Sequence, residues 1–407
     1  MKYIYQIGRV DRNILESKKF KIGDKIYEYP LSGIALKKYF LDSNQEEKTN
    51  LIIVYPVSLA LNKSVSGEKN FGEFARKIEN IINGGFENLL SNPQDIFSPH
   101  PHNSFADGFF VIHSIGGYEG KIFNAKFDFI VLEFFCDMVK KYLCWEKLNE
   151  NLFELFVDIS TGLNIYVSAM VEAARYFIVF QKLRSWIKEK SANVKICFSE
   201  PIIGSSSDVF NIYFDYTLDV KVFLSSPIRK NELNFVLARK IATTEQDKEL
   251  KQRLNKVLEN FALLFSSFKN TTPLVWYSFE FDNLFEIYKF EQQLIDRCSE
   301  IFSSNWQNAE NIEVKEYFKV FFAVSFYIGL LRVLEKEKII QQKEVTLDDL
   351  EKSKDILKSL GIDNLELLGN ELRNLSNFEK KKEKFNNATE WQPMKNFIPG
   401  ETEQFNV

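Results

Sequence analysis

Two apolar runs set the terms for the fold. Asn50–Leu59 (NLIIVYPVSL) and Leu152–Ile159 (LFELFVDI) are nearly continuous in aliphatic and aromatic residues, without the polar alternation of a half-solvated strand. Strands of that kind are covered on both faces, as in a parallel sheet with a layer of helices on each side. Lys2–Ile7 and Val194–Phe198 read as further strands, and Val209–Phe214 with Val220–Leu224 as a strand pair near one edge. Between them, Phe71–Asn83, Phe127–Cys144 and a stretch from about Leu163 to Lys188 have helical spacing. Strand and helix in alternation predict an α/β doubly wound, Rossmann-like sheet.

The texture changes after Pro227. Arg229–Thr243, Asp247–Lys269, Leu274–Phe302, Ile312–Ile339, Leu347–Leu360 and Asn364–Phe385 are helical by period, and no strand pattern remains. A chain of 407 residues has room for two domains, so we read residues 1–228 as the α/β domain and 229–407 as an all-α domain, ending in a polar tail, Asn386–Val407. His100–Gly120 holds four glycines and all three histidines, and reads as an irregular surface insertion. With 39 Phe against 5 Trp and 4 Met, aromatics should fill much of the core.

Composition narrows the function. Lys plus Arg is 52 and Asp plus Glu is 56, a net charge of −4, which argues against a protein that coats nucleic acid but leaves room for a local basic pocket. The four cysteines form no CxxC pair, and Cys136 and Cys144 read as small core hydrophobes, so a reduced cytosolic protein without zinc is expected. The start has no signal-peptide core, and the longest apolar run, near Val320–Leu331, is too short to span a bilayer. A cytoplasmic protein with no membrane partner follows. There is no GxxxxGK[ST] loop, no GxGxxG after the first strand and no GxSxG elbow, which disfavours the usual nucleotide hydrolysis and dinucleotide redox chemistry. His100-Pro101-His102 and His113 lack companion carboxylates at helical spacing, and no metal or cofactor is expected.

The chemistry-bearing candidates sit at strand ends. Val157-Asp158-Ile159-Ser160-Thr161-Gly162-Leu163-Asn164 closes a buried strand and opens a long helix. Ligands of open α/β sheets bind outside such carboxyl ends. Ser160 and Thr161 offer hydroxyls, Gly162 lets a ligand approach the backbone, and the helix start offers free N–H groups to an anion. The plainer reading is that Ser160 or Thr161 only caps the helix. Gly8 and Arg9 end the first strand, where Arg9 suits a phosphate or a carboxylate, and Ser58 ends the next. Three such ends on one sheet edge imply one cleft.

Asp158–Asn164, between a buried strand and a long helix, resembles the DxTHG-type motif of CRISPR-associated proteins of type III systems, which join a CRISPR-associated Rossmann-fold (CARF) sensor to a helical HEPN domain. Ile52–Leu59 resembles the family's second strand, and the order of the two halves is the family's. The resemblance implies that the sensor half binds a cyclic oligoadenylate across a homodimer two-fold, through Gly8, Arg9, Ser58, Ser160, Thr161, Gly162 and Asn164. It also implies a metal-independent ribonuclease acting on single-stranded RNA, with Glu371-Leu372-Arg373-Asn374 as the opening of its Arg-x4–6-His motif and Arg373 and Asn374 as candidate catalytic residues. The chain departs from the family there. Phe378 stands where histidine is expected, and no histidine follows His113. Phenylalanine cannot exchange a proton, so RNA cleavage is expected to be weak or lost. Two alternatives stay open: an active ring-stimulated endoribonuclease, and an unrelated α/β small-molecule enzyme with a helical dimerisation domain. The Phe-rich stretch Glu316–Leu334 carries more apolar surface than a small helical domain is expected to hide, a further argument for a homodimer.

Overall fold

The computed structural model describes residues 1–44, 47–148, 152–185, 192–201, 209–228, 245–304, 306, 313–339, 345–362, 365–366, 368–370 and 372–373. In chain order the α/β half runs β1 (Lys2–Ile7), β2 (Lys18–Ile22), β3 (Lys25–Tyr29), α1 (Ser32–Ser43), β4 (Thr49–Pro56), α2 (Gly72–Ile82), α3 (Phe86–Ser91), α4 (Pro93–Phe97), β5 (Gly108–Ile112), β6 (Ile115–Tyr118), β7 (Lys121–Asn124), α5 (Phe127–Leu148), β8 (Phe153–Asp158), α6 (Asn164–Arg184), β9 (Ala192–Ser199) and β10 (Val209–Thr217). The main sheet has the order β3-β2-β10-β9-β8-β1-β4-β5. Its centre, β9-β8-β1-β4-β5, is parallel throughout. As the apolar runs require, every residue of β4 and β8 is buried. Alternate side chains divide between the two faces: Ile4, Ile53 and Phe156 pack with α1 and α2, while Tyr5, Val54 and Val157 pack with α5 and α6.

Past residue 228 the described elements are α7 (Glu245–Lys269), α8 (Leu274–Ser278), α9 (Leu284–Ser304), α10 (Val314–Lys336) and α11 (Leu347–Ser359). The α/β-plus-helical architecture is therefore as expected. The two halves share one continuous core. Phe135 of α5 meets Phe318 and Phe321 of α10 at ring-centroid distances of 5.2 and 5.7 Å, and Tyr176 of α6 meets Phe318 at 4.4 Å. Helices α5 and α6 are thus both the outer layer of the sheet and the floor of the helical half.

Several expectations are corrected. His100–Gly120 is not an irregular surface insertion, because it contains β5, the edge strand parallel to β4, and all three histidines are buried. Its glycines disguise a short strand. Residues 220–224 form no strand; β10 instead pairs antiparallel with β9 and parallel with β2. The β2–β3 hairpin, turning at Gly23 (φ 60°), gives no strand signal in the sequence because its lysines mask a two-residue period. The strand expected over Asn50–Leu59 stops at Pro56, and Val57–Leu61 is a 3₁₀ turn. Leu274–Phe302 is broken into α8 and α9, and Cys144 is exposed. Helix α10 is the one helix among the described residues long and apolar enough to cross a membrane, but 83% of its most apolar window is buried inside the chain. Its apolar surface is hidden by α5, α6 and α7, so it offers no argument for a dimer. Arg229–Thr243 and Asn386–Val407 lie outside the described residues, as does most of Asn364–Phe385.

Candidate functional site

After the β2–β3 hairpin at the far edge, the chain lays β4 and β5 on one side of β1, then returns to the opposite side to lay down β8 and β9. The carboxyl ends of β1 and β8 therefore flank a topological switch point, where connections leave in opposite directions and open a crevice. A cleft of about 450 Å³ lies there, lined among others by Gly8, Arg9, Lys18, Thr161, Gly162 and Leu163.

A buried polar network forms its floor. Gln6, the polar residue of an otherwise apolar stretch of β1, donates through Nε2 to Ser32 Oγ (2.7 Å) and accepts from the Gly33 N–H (3.0 Å), so it holds the first turn of α1. Ser32 donates in turn to Asp158 Oδ2 (2.6 Å), and Asp158 Oδ1 accepts both the N–H and the hydroxyl of Ser160. The Ser160 hydroxyl then accepts the Ser199 N–H at the end of β9 (2.8 Å). Burial raises the pKa of Asp158, against the lowering pull of its bonds from Ser160 and Ser32.

The network sorts the expected site residues. Ser160 lines the cleft, but its hydroxyl is engaged on both sides and serves the floor. Thr161 Oγ1 is buried without a partner, which leaves it as the hydroxyl with unsatisfied capacity at the cleft. Gly162 lines the cleft too, and a Cβ built there meets nothing within 4 Å. Gly8 has a packing reason to be glycine, since a Cβ would fall 2.2 Å from the Tyr55 ring. Arg9 faces the cleft with its guanidinium forked on Asp11, Nε to Oδ2 at 2.8 Å and Nη2 to Oδ1 at 3.0 Å. Ser58 is corrected. It does not end β4 but sits buried in the following 3₁₀ turn, its N–H on Ser114 Oγ (2.9 Å), and it is not among the cleft-lining residues. Asn164 opens α6, exposed and likewise outside the lining.

The loop after β1 is braced by Asn62 and by two histidines of the stretch expected to be an insertion. His100 Nε2 lies 3.0 Å from the Arg9 carbonyl and His102 binds the Ile14 carbonyl through Nε2 (2.5 Å), while Asn62 donates to the Val10 carbonyl. Burial lowers the pKa of both imidazoles, that of His102 to about 4. The His-x-His pair was legible as a feature; its target, eighty or more residues earlier in the chain, was not. Among the described residues no group of His, Cys, Asp and Glu is arranged to hold a metal.

Residues 2–201 match the family model described as CRISPR system endoribonuclease Csx1, CARF domain. The α/β half is a CARF domain of this family. The match places the chain among the CARF-domain proteins of type III CRISPR systems, and it covers β1 through β9 and stops short of the helical half. No curated protein matches the chain significantly. CARF domains are the cyclic-oligoadenylate sensors of type III defence, and the cleft lies at the ends of β1 and β8. In the helical half, Arg373 is exposed on the last described helical stretch, next to buried Leu372; Asn374, Glu371 and Phe378 lie outside the described residues.

Proposed function

We propose that this chain is a cytoplasmic type III CRISPR accessory protein that binds a cyclic oligoadenylate in its CARF cleft and thereby regulates a HEPN-like helical domain whose own RNA cleavage is weak or lost. The observation that carries the reading is the coincidence of the family match over residues 2–201 with a cleft at the β1–β8 switch point, lined by Arg9, Lys18 and the unpartnered Thr161 hydroxyl. Phosphodiesters bind cations and hydroxyl donors, and the cleft offers both. At about 450 Å³ the cleft is near the small end of ligand sites and too small for a whole ring of four or six nucleotides. Two CARF domains facing across a homodimer two-fold would supply the two halves of one symmetric site.

The test is calorimetric titration with rings of four and six adenylates. We expect one ring per two chains, with affinity reduced at least about tenfold in Gly162→Leu, or about 1.4 kcal/mol. The added side chain has open space in the unliganded protein, so the fold should survive while backbone approach is blocked. Equal affinity in that variant would remove the site assignment, and no binding of either ring would remove the function. One observation favours a second reading, an active ring-stimulated endoribonuclease with Arg373 and Asn374 at its site: the matching family is described by that activity.

A further inference from the structure

Among the described residues two cations line the cleft, Arg9 and Lys18, and each is paired to a carboxylate two positions away in sequence: Arg9 to Asp11, Lys18 to Glu16. Both of these cations therefore already hold a carboxylate before an anionic ligand arrives. The Arg9 pair is the stronger of the two, because Asp11 takes both Nε and Nη2 of the guanidinium in a fork, the geometry Arg would use on a phosphate. Asp11 is itself a cleft-lining residue.

Arg9 Nη2 also reaches the Asn13 carbonyl (3.3 Å), but the charge of Asp11 is not what holds the loop. His100 binds the Arg9 carbonyl, His102 the Ile14 carbonyl and Asn62 the Val10 carbonyl, and Asp11 closes its own turn by accepting the Asn13 N–H (2.8 Å). Each of these contacts would persist with asparagine at position 11, whose side-chain carbonyl can accept the same N–H. The charge of Asp11 is thus separable from its turn-forming role.

We infer that Asp11 is an internal competitor for the ligand's phosphate: its carboxylate occupies the Arg9 fork, binding requires a phosphate to displace it, and Asp11 thereby sets the affinity and the threshold concentration at which the sensor responds. The inference rests on the proposed cyclic-oligoadenylate site and adds its regulation. A tethered carboxylate has a high effective concentration at Arg9, so a lone phosphate displaces it poorly. A ligand delivering several linked phosphates to a paired site repeats the gain in each half.

The experiment is titration of the full chain and its Asp11→Asn, Arg9→Ala and double variants with rings of four and six adenylates, at several salt concentrations. Asp11→Asn should bind the preferred ring about three- to tenfold more tightly, the scale of a partly exposed forked pair. Its affinity should also fall more steeply with salt, because one more free cation meets the phosphates. In the Arg9→Ala background the same change should give no gain. Unchanged or weaker binding by Asp11→Asn, with the natural chain binding normally, would overturn the inference and leave the function standing. An equal gain with and without Arg9 would also overturn it, since the effect would then be general charge and not the fork. If neither the natural chain nor Asp11→Asn binds a ring, the proposed function falls and the inference with it.

Discussion

His102 is fully buried, with Nε2 on the Ile14 carbonyl and no partner for Nδ1. A carbonyl only accepts, so Nε2 carries the proton and the imidazole is neutral. Burial depresses its pKa to about 4, below the 6.5 of an exposed histidine. Between these values the unfolded chain takes up a proton that the folded chain refuses. Stability is therefore complete above about pH 6.5 and is lost as pH falls toward 4, by up to about 3 kcal/mol from this residue. Urea unfolding from pH 7.5 to 4.5 should show this slope, and His102→Gln should flatten it; identical slopes would mean that the imidazole is not held neutral. Little at this scale was legible beforehand. Asp158 and Thr161 could be placed at a strand end from the chain alone, but the commitment of the Ser160 hydroxyl to the floor depends on Ser199, which β9 brings alongside. Nor could a sequence say that the Arg9 fork would be filled by Asp11.

Among elements, α6 joins the cleft to the helical half. It starts two residues after Gly162 and runs 21 residues, about 30 Å, to Arg184. Helix α10 is tied to its carboxyl end: Arg332 Nη1 donates to the Arg184 carbonyl (3.3 Å), one of the last-turn carbonyls without an intrahelical donor, and Ser325 Oγ adds a second donor to the Phe180 carbonyl (2.8 Å). One turn beyond Ser325, Gly329 presses so close that a Cβ would fall 2.1 Å from the Leu183 carbonyl oxygen. In an ordinary helix interior, glycine to alanine stabilises by about 0.5–1 kcal/mol. Here the methyl must push two helices apart, so Gly329→Ala should destabilise by about 1–3 kcal/mol in urea unfolding. A gain in stability would show that the helices are not in contact. Long elements such as α6 and α10 declare themselves in sequence because many periods repeat. The strands β2, β3 and β5 to β7 have four or five residues each, too few for a period to stand out against lysines and glycines.

Across the whole molecule, sensor and helical half meet at a buried ionic cluster. Arg184 at the end of α6 grips Glu291 of α9 through Nη1 (2.8 and 2.6 Å) and Glu146 of α5 through Nε and Nη2 (2.9 and 2.7 Å). Arg332 of α10 closes the ring on Glu146 (2.6 Å). Burial raises the pKa of Glu291 to about 7, against the lowering pull of Arg184, while both arginines hold Glu146 near 2 despite its burial. The change of texture near residue 228 was visible in sequence, but not that both halves share a core, since Phe135 and Phe318 are neighbours only in space. Under the proposed function, a ligand at the amino end of α6 would act on an element whose far end is fixed in the helical half. The consequence to test is RNA cleavage. Arg373 is exposed and able to meet a phosphate, but Phe378 occupies the place of a proton-transfer residue in the proposed HEPN motif. Loss of a positioned general acid–base removes roughly 10²–10⁴ in rate. We expect cleavage of a fluorescent single-stranded RNA to stay near background with the ring bound, to rise in Phe378→His, and to lose any residue of activity in Arg373→Ala, which forfeits electrostatic stabilisation of the phosphate. Rapid ring-stimulated cleavage by the natural chain would place the proton-transfer group elsewhere and favour the active endoribonuclease.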